Sequence, residues 1–181
     1  MSRLAIPTVD TAPEASKPIL DAVHKQLGTV PNLFRLIANS PVALGAYAGF
    51  NAALGKSLDL KTRERIALAV AQVNGCDYCL SAHSYIGLNM AKISPDEIAL
   101  NRQGASGDAK AHAAVAFAAK VARERGHVND ADVAAVRLAG FSDAQIVEIV
   151  ALVAENSFTN YLNEVAKTEI DFPEVRAAEA A

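Results

Sequence analysis

Apolar residues recur at helical spacing along nearly the whole chain, and the polar interruptions between them are helix caps and stops. Thr11-Ala-Pro-Glu14 reads as a capping box that opens a helix ending near Gly28, and Pro31 opens a short helix carrying Leu33, Phe34, Leu36 and Ile37. Ser40-Pro41 starts a third helix that runs to about Leu54 and closes at Gly55. Asp59 caps a fourth, with Ile66, Ala67, Val70 and Val73 on its apolar stripe, stopped by Asn74-Gly75. A fifth begins at Cys76 or Asp77 and runs toward Asn89. Ser94-Pro-Asp-Glu97 predicts another capping box, on a helix that ends before the loop Gly104–Gly107. An alanine-rich helix spans Asp108 to Arg125, Asn129 caps one that runs to Ala139, and Ser142-Asp-Ala-Gln145 opens a last long helix to about Val165.

No stretch alternates apolar and polar between turn signals, so the expected fold is all-α. Nothing divides the chain. The expectation is one domain, 1–181, with an extended arm over about 1–10, lying on the domain or on a neighbouring subunit, and a loose tail over about 174–181.

Composition narrows the partners. The 181 residues include 17 Lys and Arg against 20 Asp and Glu, a net charge of −3 with no basic block, which argues against nucleic acid. The sequence has no apolar run of about eighteen residues and no secretory leader, so no membrane span and a cytoplasmic location are expected.

Both cysteines lie within Glu64–Gly87. In a reducing compartment a Cys-x-x-Cys pair points to redox or metal chemistry. As a staple it would be weak, about 2 kcal/mol for so short a loop against about 4.7 for a hundred-residue one. Cys76, Cys79 and His83 share one face of a helix. In an antiparallel helix pair folded at Gly75, Glu64 lies opposite residue 86, within one turn of His83, so Glu64 and His83 can meet directly or through one water. A helix N-terminus and an adjacent imidazole both favour a thiolate. The dipole favours Cys76, and His83 favours Cys79.

Other readings compete. Both thiols could be core residues, or Cys76, Cys79 and His83 could hold zinc with Asp77 or a distant fourth ligand. Covalent haem attachment is excluded because Leu80, not histidine, follows the second cysteine. Tyr78 and Asn160 are candidate pocket residues. Asn156, Asn160 and Asn163 fall at near-helical spacing, where a structural role is favoured. His24, His112 and His127 read as solvated.

Glutamate, then Cys-x-x-Cys twelve positions on, then histidine four further, resembles the signature of the AhpD-like, carboxymuconolactone decarboxylase superfamily in its alkylhydroperoxidase branch. Val30-Pro-Asn-Leu33, Ser40-Pro41 and Ala166–Pro173 look like that branch's peroxidase-related members. The resemblance implies a helical fold, trimers or hexamers, and reduction of organic hydroperoxides without a bound cofactor or metal. It implies Cys79 as peroxidatic thiol, Cys76 as resolving thiol, Glu64 and His83 as proton relay, and an external dithiol reductant, a lipoylated protein in the AhpD type. Tyr78 stands where that type has a histidine. Lactone decarboxylation, also found in the superfamily, needs no cysteine pair.

Overall fold

The computed structural model describes residues 2–177 and contains, among them, helices and turns but no strand. A 3-10 turn over Glu14–Ser16 leads into α1 (Lys17–Leu27), then α2 (Asn32–Ile37), α3 (Pro41–Leu54), α4 (Leu60–Val73), α5 (Asp77–Asn89), α6 (Pro95–Arg102), α7 (Ala109–Glu124), α8 (Asp130–Leu138) and α9 (Asp143–Ala166).

The predicted caps at Ser40, Asp59, Ser94, Asn129 and Ser142 each accept a hydrogen bond from a first-turn amide, and so does Asp108, which caps the alanine-rich helix instead of belonging to it. Two boxes differ from expectation. Thr11 sits in a separate turn with Thr8, and α1 starts later, at Lys17-Pro18, because the 3-10 turn intervenes. At α6 the Ser94 cap forms, but the Glu97 carboxylate turns to Arg65, Ser106 and the Gly107 amide, tying down the following loop instead of closing a box.

The centre of the molecule is α4, which packs against α5, α6, α7 and α9. Ile66 through Ala71 are buried without a break, as expected of a helix covered on every side. Truncating a fully buried side chain such as Leu68 to alanine costs about 2–5 kcal/mol. One apolar cluster joins Leu68 and Ala71 to α1, α2, α3 and α5; a second joins Ile66 and Val70 to α7, α8 and α9. Glu64 therefore enters the interior from a helix that contributes to both clusters.

The chain reverses from α4 to α5 through Gly75, whose φ of +67° explains the glycine. The N-terminal arm lies on its own domain, where Ser2 Oγ accepts from the Glu169 amide and the Ala5 carbonyl from Asn39. The tail is held, not loose, as far as it is described: the amides of Val175 and Ala177 donate to Ser81 Oγ and Asp77 Oδ1, at 2.9 and 2.7 Å. The rest of the expected tail, 178–181, lies outside the described residues. No helix of the described residues is long and apolar enough to cross a membrane.

Candidate active site

Three helices, α4, α5 and α9, deliver the site. Cys76 is the N-cap of α5, its sulfur accepting the Cys79 amide at 3.4 Å in the place a serine or aspartate oxygen usually fills. Cys79 therefore sits in the first turn of α5, within reach of its positive end. Both thiols are reduced and buried. One turn further along α5, His83 Nδ1 meets Glu64 Oε2 at 2.8 Å, a direct contact across the α4–α5 hairpin. From α9, Asn163 Nδ2 donates to Cys79 Sγ at 3.2 Å.

These residues open onto a cavity of about 910 Å3 bounded by α1, α2, α3, α4, α5 and α9. Glu64, Tyr78, Cys79 and His83 line it, whereas Cys76 lies behind. The walls are largely apolar, with Phe34, Leu60, Ile86 and Leu152 among them.

The electrostatics separate the two thiols. The hydrogen bond from the Cys76 thiol draws Cys79 down, burial opposes, and the charge of His83 with the amides of Asn163 and Asn160 adds to the fall, leaving Cys79 at about 6. The same bond, with burial and the neighbouring Cys79 charge, pushes Cys76 up. Burial pulls His83 down, but the Glu64 carboxylate overrides it by charge and hydrogen bond, and Cys79 and Glu155 add to this, holding the imidazole up at about 9. These shifts favour a Cys79 thiolate beside an imidazolium and keep Cys76 as the thiol of the pair.

Tyr78 lines the cavity and also ties the site to the tail. Its hydroxyl donates to Asp171 Oδ1 at 2.8 Å and accepts the Leu33 amide at 3.1 Å, and its ring meets Phe172 edge-on. Asn160 is fully buried, its carbonyl accepting from Asn74 Nδ2 at 2.8 Å. It does not line the cavity but faces the cysteine pair. His24, His112 and His127 are exposed and away from the site. Among the described residues no group of three or more His, Cys, Asp or Glu side chains is arranged as a metal site.

Sequence reasoning missed Glu155 and Tyr47. Glu155 lines the cavity, buried, accepting from Asn51 Nδ2 at 2.7 Å, and burial raises its carboxyl. Its signal was legible: it is the sole charged residue between Ile149 and Asn163. Tyr47 stacks between Phe34 and Phe158, and nothing local in its sequence marks it.

Residues 41–124, which include Glu64, both cysteines and His83, match the carboxymuconolactone decarboxylase family. A peroxidase-related protein of Ralstonia eutropha JMP134 with an alkylhydroperoxidase AhpD core superposes with a TM-score of 0.83 at 29% identity, covering 94% of this chain and 92% of that one. The carboxymuconolactone decarboxylase match thus covers the segment that carries the site, and the fold as a whole is similar to that of an AhpD-core protein. A peroxidase-related protein of Silicibacter sp. TM1040 superposes with a TM-score of 0.81 at 27% identity, over 93% and 91% of the two chains. The debrominase Bmp8 shares the fold, at 0.77 and 20% identity over 94% and 91%. An uncharacterized protein of Haemophilus influenzae (strain Rd) is 44% identical over 62 residues, 34% of this chain and about half (51%) of that protein.

Proposed function

We propose that this protein is a cysteine-dependent peroxidase that reduces organic hydroperoxides. One observation carries the reading: a depressed thiol, Cys79, lines a largely apolar cavity beside an imidazolium, with a second, protonated thiol behind it. The family match over residues 41–124 and the likeness to two peroxidase-related structures support it.

The cycle follows from the protonation states. The Cys79 thiolate attacks the terminal oxygen of ROOH; an S–O bond forms, the O–O bond breaks, and the departing alkoxide takes the His83 proton and leaves as ROH. Cys79 is now a sulfenic acid. The Cys76 sulfur attacks it, an S–S bond forms, and the hydroxyl departs as water, carrying the Cys76 proton. An external dithiol then reduces the Cys76–Cys79 disulfide, is itself oxidised to a disulfide, and returns one proton to Cys76 and one to His83. Glu64 keeps the imidazole oriented and basic throughout, the nucleophile–base–orienter arrangement in a thiol enzyme.

Free-thiol counting and intact mass after one equivalent of cumene hydroperoxide test this in the wild type, Cys76→Ser and Cys79→Ser. The wild type should lose two thiols and two mass units. A sulfenic acid should be trapped in Cys76→Ser and absent from Cys79→Ser. If the thiols stay reduced under peroxide yet oxidise readily with a lipoyl disulfide, the protein is a thiol–disulfide oxidoreductase and the peroxidase assignment fails.

A further inference from the structure

We propose that Asn160 and Asn163 form an amide cradle for Cys79, stabilising its anionic sulfur and then the oxygen that sulfur gains. The inference rests on Cys79 being the nucleophile. The two residues lie three apart on α9 and so share a face. Both are buried, at 0% and 2% exposure, where a polar group without a partner is costly.

Asn163 Nδ2 already donates to Cys79 Sγ at 3.2 Å. Asn160 is aimed by a third amide: Asn74, at the end of α4, donates to Asn160 Oδ1 at 2.8 Å and so leaves the Asn160 amino group free to act. That amino group has no full hydrogen-bond partner among the described residues, yet Asn160 still helps lower the Cys79 thiol. An unfilled donor beside a nucleophile suits an acceptor that arrives with the reaction. The oxygen of the sulfenic acid is such an acceptor.

The cradle does what the neighbouring charges cannot. Cys79 is faced by Cys76 and His83 from α5, Tyr78 between them, Glu64 from α4, Tyr47 from α3 and Glu155 from α9. His83 is the sole cation in that set, and it gives up its charge when it protonates the leaving alkoxide. The amides carry no titrating proton. They hold the sulfur equally before and after that transfer, on a long rigid helix.

Iodoacetamide alkylation of Cys79 across pH 5–10, in a Cys76→Ser background, reads the cradle without any peroxide. Asn160→Leu and Asn163→Leu should each raise the alkylation midpoint and slow the reaction at pH 6 by about fivefold, taking a charge-assisted hydrogen bond as about one pKa unit. At pH 10 the rates should match the parent. Asn74→Ala, which touches no sulfur, should reproduce part of the Asn160→Leu shift and keeps the test open should either leucine variant misfold. An unmoved midpoint in folded variants, or equal slowing at both pH values, overturns the proposal. Loss of the cradle effect with peroxide reduction intact sinks the cradle alone. A working cradle in a protein inert to peroxide sinks the peroxidase reading alone.

Discussion

At the scale of single residues, the site is a proton inventory set by two displaced groups. The thiolate needed for attack exists above about 6, and the imidazolium needed for the leaving alkoxide exists below about 9. The rate of peroxide consumption should therefore rise through about pH 6, stay level, and fall through about pH 9. Glu64→Gln removes the charge that holds His83 up, so the alkaline limb should move to lower pH and the rate at pH 8 should drop by about ten- to a hundredfold. A stopped-flow pH profile of both proteins decides this; an alkaline limb that stays in place would remove Glu64 from the relay. The same shifts act on stability with opposite signs. The depressed thiol stabilises the fold most at high pH, and that contribution is lost as pH falls through about 6. The raised imidazole stabilises it at low pH, and that contribution is lost as pH rises through about 9.

At the scale of elements, the N-terminal turns of α5 are held by the α4 turn and by the segment after α9. Tyr78 connects that segment to the redox pair, since Asp171 accepts from its hydroxyl and also, through Oδ2, from the Asn32 amide. Tyr78→Phe leaves the buried Leu33 amide and one Asp171 oxygen without that partner, at a cost of about 1–3 kcal/mol. Thermal unfolding should show the loss, and hydrogen exchange should quicken at Val175 and Ala177; protection unchanged at those amides would mean the segment is anchored independently of Tyr78. The elements themselves were legible because their signals are local: capping side chains, Pro at the first turn, glycine at Gly75. The Glu64–His83 contact was legible because equal distances from one turn place residues opposite each other. Asp171, Tyr47, Glu155 and the Asn163 contact depend on how α3, α9 and the tail cross α5. Periodicity within one helix carries no register between helices, so Asn163 read as a structural asparagine. The tail read as loose because its contacts are backbone amides to Asp77 and Ser81, which leave no trace in composition.

At the scale of the whole molecule, one helix is incompletely covered. Every exposed residue of α9 from Val147 to Val165 is apolar or tyrosine: Val147, Val150, Ala154, Phe158, Tyr161 and Val165. Val147, Tyr161 and Val165 are 68%, 58% and 62% exposed. A continuous apolar stripe on the solvent side of a helix marks a contact surface. The spacings of three and four are those of a coiled-coil seam, and at 1.5 Å per residue the stripe runs about 27 Å. We propose that a second copy of the chain covers it, α9 against α9 about a two-fold axis, because one uncharged stripe of this kind is complementary to itself when reversed. Such a contact makes pairs. It fits a dimer or a hexamer built from pairs, and does not by itself make a trimer. Light scattering should return a mass that is an even multiple of 19.0 kDa, and Tyr161→Glu with Val165→Glu should lower it to the monomer, or to trimers if a second interface exists, without loss of helical circular dichroism. A wild type that runs as a 19.0 kDa monomer at working concentration would leave the stripe exposed and overturn the pairing. Because Phe158 stacks on Tyr47 and Glu155 lies in the same helix, pairing along α9 would also brace the cavity wall. The dissociated variant should then reduce cumene hydroperoxide more slowly than the assembled protein, with the loss recovered if assembly is restored by a disulfide-free covalent tether between two copies.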